Sequence, residues 1–129
     1  MNDEPITCYC IETTDLPLVE IRDGIRVPQY RRKDTGEIIV GTQPGAIFFY
    51  DEIMGSDHPP RNVGPDGRAL IVVLPNNDWW WIDAPATRPP GNKWTRTGTP
   101  PKVTATPSID MGGPDPWHGY LTDGVLRKV

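Results

Sequence analysis

Few residues in this chain can do chemistry. Among 129 residues there are two histidines and two cysteines. His118 lies in the stretch Trp117-His118-Gly119-Tyr120-Leu121-Thr122-Asp123-Gly124, where an imidazole can act as a base, a metal ligand or a plain hydrogen-bonding group. As a ligand it needs at least two more donors, and Cys8, Cys10 and His58 are the only soft ones available. Their spacing follows no zinc pattern. A histidine held by hydrogen bonds in or beside its own hairpin is expected instead, with no metal and no cofactor. As the base of a hydrolase, His118 would serve Ser108, with Asp83 or Asp110 orienting it. No nucleophile elbow surrounds Ser108, and Pro107 before it reads as a structural kink. A carboxylate dyad from Asp83 and Asp110 has no specificity in an acidic chain.

The tryptophans say more. Strand alternation in Trp79-Trp80-Trp81 puts Trp79 and Trp81 on one face and Trp80 on the other. One face joins a core; the other must be covered by a loop, a partner or a flat ligand. Trp94 and Trp117 border Pro-rich segments, and exposed indoles stack on bases, sugars and partner side chains. Core packing of all five is the competing reading. The binding surface is expected where the loop from Ala84 to Trp94 meets Trp117 and His118, with Trp80, Asp83, Arg88, Lys93, Trp94, Trp117 and His118 as its residues. Arg88 suits carboxylates and phosphates alike. Its plainer alternative is an ion pair with Asp83 or Asp110.

These residues need a scaffold. Sixteen prolines and thirteen glycines argue against long helices and for many turns. Strand patterns cover Ile6 to Ile11, Glu37 to Val40, Gly45 to Tyr50 and Ala69 to Leu74. Asp23-Gly24 turns a hairpin between Leu16 to Ile21 and Ile25 to Tyr30. Asp51 to Met54 is a single helical turn. Asn76-Asn77-Asp78 folds the apolar strand back onto Trp79 to Asp83 as an antiparallel partner. Lys93 to Thr97 and Lys102 to Thr106 flank Gly98-Thr99-Pro100-Pro101, and Asp123-Gly124 closes the last hairpin. The predicted core includes Ile47, Phe49, Leu70, Val72, Leu74 and either Leu121 or Tyr120. The pattern predicts one domain spanning residues 1–129: mainly β, an antiparallel sandwich or open barrel with long Pro/Gly-rich loops and little helix.

Charge and hydropathy exclude some partners. A net charge of −4 and a pI near 5.0 disfavour general binding to a nucleic-acid backbone. Arg31-Arg32-Lys33 is a short basic cluster in a solvated loop. No apolar run is long enough for a membrane span, and the acidic start Met1-Asn2-Asp3-Glu4 is unlike a secretory signal. Cys8 and Cys10, two apart on a strand, are expected as free thiols because a bridge between them is strained.

Between Pro44 and Val125 the chain resembles a family of small phage and prophage proteins of unknown function. The resemblance rests on Gly45-Ala46 before aromatics, Gly64-Pro65-Asp66-Gly67, then Trp80-Trp81-Ile82-Asp83 and Gly98-Thr99-Pro100-Pro101. Ser108-Ile109 and Trp117-His118-Gly119-Tyr120-Leu121 followed by Asp123-Gly124 complete it. Many relatives carry cysteines and a histidine between the Trp-x-Ile-Asp strand and the Pro-Pro turn. Here Ala84 to Trp94 has neither, so no metal is held there in the same way. The resemblance implies a phage origin and action in the host cytoplasm, without implying a reaction. The expected function is a non-enzymatic binding protein that captures a host protein or a small nucleotide-like ligand, with a possible counter-defence role. A small metal- or His-dependent enzyme and a structural virion or decoration protein are the alternatives.

Overall fold

The computed structural model describes residues 4–55, 62–85, 93–111 and 116–129. Predicted features at His58, Arg88 and most of the loop from Ala84 to Trp94 lie outside the described residues. Thirteen strands and one short helix are described. They are β1 (Ile6–Thr7), β2 (Tyr9–Thr13), β3 (Val19–Arg22), β4 (Ile25–Val27), β5 (Gln29–Arg32), β6 (Ile38–Val40), β7 (Ala46–Phe49), α1 (Tyr50–Met54), β8 (Leu70–Val73), β9 (Trp79–Trp81), β10 (Thr95–Thr99), β11 (Lys102–Met111), β12 (Trp117–Thr122) and β13 (Val125–Lys128).

Two sheets face each other as a sandwich. The C-terminal sheet has the order β1-β13-β12-β11-β10 and the other runs β6-β5-β2-β7-β8-β9. Between them lie Cys8, Ile47, Leu70, Val72, Leu74, Trp80 and Ile82 on one side and Val103, Ala105, Ile109, Trp117, Leu121 and Leu126 on the other. The six-stranded sheet is apolar on its second face too, where Tyr9, Ile11, Tyr30, Ile39, Phe48, Ile71 and Val73 form another buried cluster. Tyr50 and Ile53 of α1, with Trp79 and Trp81, pack against that cluster. The sheet curls around it: Trp79 Nε1 on edge strand β9 donates to Thr42 Oγ1, just past the opposite edge strand β6, at 2.8 Å. β7 and β8 are therefore buried on both faces, which is why their sequences read as continuous apolar runs.

The predicted strand pairing of Leu70 to Leu74 with Trp79 to Asp83 forms as β8–β9, with Val72 opposite Trp80. The predicted single strand from Ile6 to Ile11 is divided at Cys8. Its first half pairs with β13 and its second with β7, and the Cys8 N–H goes to Gly124 O at 2.7 Å. One strand thus crosses from sheet to sheet. The sandwich is antiparallel as expected, with β2–β7 its one parallel pair among the described strands. Phe49 stays half-buried at the rim under the Arg68 guanidinium, 3.9 Å from its ring centre. Leu121, not Tyr120, enters the core.

The last hairpin closes as its sequence requires. Asp123 and Gly124 both have positive φ, 49° and 76°, the pairing that matches the twist of a two-residue turn. Gly124 N–H also donates to Val103 O, and a Cβ there would meet the Pro101 carbonyl oxygen. The hairpin tip is locked to β11.

Candidate functional site

Strand β12 alternates in the strict sense: Trp117, Gly119 and Leu121 are buried, and His118, Tyr120 and Thr122 face solvent. Gly119 makes this possible, because a Cβ there would strike the Trp117 ring and the Arg127 carbonyl oxygen. The indole of Trp117 lies over the glycine, inside the sandwich. His118 therefore stands on the outer face of the C-terminal sheet.

That outer face can be read strand by strand. His118 is opposite Asp110 on β11, and Tyr120 is opposite Arg127 on β13. Ser108, two residues before Asp110, brings its Oγ to 3.3 Å from His118 Nε2. The register slips between Ala105 and Ile109, the stretch containing Pro107, which has no N–H for the ladder. Beyond it, Thr106 and Thr104 of β11 face Thr95 and Thr97 of β10. Tyr120 is 49 % exposed in the middle of this hydroxyl-rich face. Asp110, His118 and Arg127 are exposed beside it.

Ser108 and His118 meet at the long end of a hydrogen bond, on an open sheet face. Asp83 is engaged elsewhere, and among the described residues no hydrogen bond joins Asp110 to His118.

The other described site residues are divided between the core and the surface. Trp80 and Trp117 are buried in the core, with no ring face free for a ligand. Trp94 is half-buried, edge-on to Trp80 with centroids 5.3 Å apart, and its Nε1 donates to Ser108 O at 3.2 Å. Lys93 is exposed. Asp83 is buried and accepts from Leu70 N–H at 3.0 Å and Arg96 Nε at 2.9 Å.

Arg96 is thus the described partner of Asp83; Arg88 lies outside the described residues. The other Arg96 nitrogens reach Asp66, at 2.7 Å for the closer pair, and Arg68 O at 3.1 Å. Burial works against the Arg96 charge, but Asp66 and Asp83 hold its pKa above the ordinary value. The Arg96 hydrogen bond in turn holds the Asp66 carboxyl below its usual range. Gly64 completes the cluster, since a Cβ there would collide with the Arg96 guanidinium and the Asp83 carboxylate. The Gly64 to Gly67 turn is built against this ion pair.

The Cys8 thiol is buried and that of Cys10 half-buried. Cys8 and Cys10 both face the inter-sheet core, while His118 points the opposite way, off the outer face. Burial pushes the Cys8 thiol up to about 12, and a nearby Cys10 charge adds to it. Burial also raises Cys10, against the lowering pull of Lys33. Both are free. Among the described residues no group of three His, Cys, Asp or Glu side chains is placed to hold a metal, and no helix is long and apolar enough to cross a membrane.

The chain matches no family model, no curated protein and no solved structure. The geometry must speak for itself. Sequence reasoning singled out His118; the structure sets Tyr120 and Arg127 beside it on the same outer face. The signal was present in the alternation of Trp117 to Thr122, which turns every second residue outward once Trp117 is assigned to the core.

Proposed function

We propose that this is a phage-encoded, non-enzymatic binding protein that captures a host protein in the host cytoplasm through the outer face of its C-terminal sheet. The observation that carries the reading is Tyr120, half-exposed at the centre of a rigid sheet. It stands between Arg127 across the strand pair and His118 two residues away. Aromatic and arginine side chains are the usual anchors of protein interfaces. Small ligands, nucleotides included, are held in concave sites that bury most of their surface. A face made of outward side chains on four adjacent strands suits a protein surface better. The negative net charge argues against nucleic acid. The phage origin rests on the resemblance between Pro44 and Val125.

The test is a pair of surface variants, Tyr120→Ala and Arg127→Glu, compared with the parent in affinity capture from host lysate. Loss of the same captured protein in both variants, with melting temperature unchanged, supports the reading. Capture unaffected by either substitution overturns it. The Ser108–His118 contact favours a second reading, a small His-dependent enzyme. Ser108→Ala separates the two, because it spares capture under the first reading and abolishes turnover under the second.

A further inference from the structure

Among the described residues, Cys8 and Cys10 are two soft donors held on one side of one strand. They stand two apart where the chain crosses from the C-terminal sheet to β2, and both face the inter-sheet core. Each feels the other, since a charge on Cys10 raises the Cys8 thiol. Both are free. Two residues of extended chain separate α-carbons by about 7 Å, the far limit of what a disulfide spans. A single ion set between the two sulfurs asks less of the backbone. With metal–sulfur bonds of about 2.3 Å on each side, the two side chains need only lean toward each other.

The surroundings decide which ion. The other members of the core cluster that the two cysteines join are aliphatic or aromatic. Zinc takes four ligands and hard cations take oxygens, and among the described residues no such set is gathered. Cuprous copper is soft, selects thiolates and is satisfied by two of them in line. Burial raises both thiols, so their protons yield only to a cation of strong sulfur affinity. Two S–H protons leave as two copper–sulfur bonds form, and the bound unit carries one negative charge. Lys33 supplies a counter-charge that pulls on Cys10, with Glu52 and Asp34 acting against it. The Lys33 N–H also donates to Cys10 O at 2.9 Å. Cys10, half-buried, is the open side of the site. We propose that Cys8 and Cys10 form a two-coordinate cuprous site at the strand crossing. It makes no use of the outer face around Tyr120, so the two proposals stand separately.

Anaerobic titration of the reduced full chain against cuprous bicinchoninate tests the site, because that chelator loses its colour as copper is taken from it. The parent should remove one copper per chain and melt at a higher temperature once loaded, as binding to the folded state alone requires. Cys10→Ser and Cys8→Ala should each abolish both effects. Cys10 is half-buried, so its variant decides the matter even where Cys8→Ala fails to fold. His118→Ala should load as the parent does, which separates the core pair from a surface imidazole. Zinc chloride in place of copper should leave the melting temperature unchanged. A parent that leaves the colour unchanged overturns the proposal. So does a Cys10→Ser protein, shown folded by circular dichroism, that loads and melts like the parent. A His118→Ala protein that fails to load, or a zinc shift equal to the copper one, overturns it equally.

Discussion

Removing Arg96 tests the charge cluster behind the C-terminal sheet most severely. Its side chain is 8 % exposed and that of Asp83 6 %. Arg96→Met keeps the aliphatic bulk but leaves the Asp83 carboxylate buried with only the Leu70 N–H as partner. Breaking a buried pair from one side costs about 3–5 kcal/mol, mostly the penalty of the stranded charge. Domains of this kind are stable by only about 5–15 kcal/mol, so a large fraction of the total is at stake. At roughly 4 °C per kcal/mol for a chain of this size, the melting temperature should fall by about 12 °C or more. Asp83→Asn should cost less, because Arg96 keeps Asp66 and the Arg68 carbonyl. The double variant should be more stable than the sum of the two losses predicts, by roughly 1–3 kcal/mol. Urea unfolding of all four proteins at neutral pH reads this directly. Arg96→Met within about 1 kcal/mol of the parent, or losses additive to within about 0.5 kcal/mol, would refute the claim that the pair acts as a unit.

Three further outcomes are expected. Asp66 has a lowered pKa in the folded state, through its Arg96 hydrogen bond. Its contribution is present above the unfolded value of about 3.9 and lost as pH falls through the folded one. Urea midpoints should therefore drop below about pH 4, and Asp66→Asn should flatten that drop; an identical profile in the variant contradicts the assignment. In thiol labelling at mildly alkaline pH, half-buried Cys10 should react slowly and Cys8 only on denaturation, given the burial that raises both. Cys8 labelling at the rate of a free thiol would show that the junction between β1 and β2 opens. Gly119→Ala should cost about 1–3 kcal/mol by overpacking, with a shift in tryptophan fluorescence as Trp117 is displaced. A neutral result would mean that Trp117 has room to move.

Much of the strand inventory was legible because the side-chain period shows in the sequence. Leu70 to Leu74, Trp79 to Asp83 and the Asp123-Gly124 hairpin all form where the patterns place them. The break at Cys8 was not legible, since the residues from Ile6 to Ile11 keep one β-type composition while their partners change from β13 to β7. Partner choice is a long-range property that no local pattern carries. The same limit explains Asp83, whose buried cation, Arg96, comes from β10 in the facing sheet, far from it in sequence. Tyr120 is a different case, since the sequence leaves open the choice between it and Leu121 for the core. Its exposure follows from alternation alone, once the glycine bed of Trp117 is recognised.

The proposed binding surface is the outer face around Tyr120. A photo-crosslinking amino acid in place of Tyr120, expressed in the host and irradiated, tests it at the proposed contact. A second protein with the crosslinker in place of exposed Glu37, on the segment before β6, serves as control. A discrete crosslinked host protein is expected from position 120 and none from position 37. No adduct from position 120, or the same adducts from both positions, would contradict it.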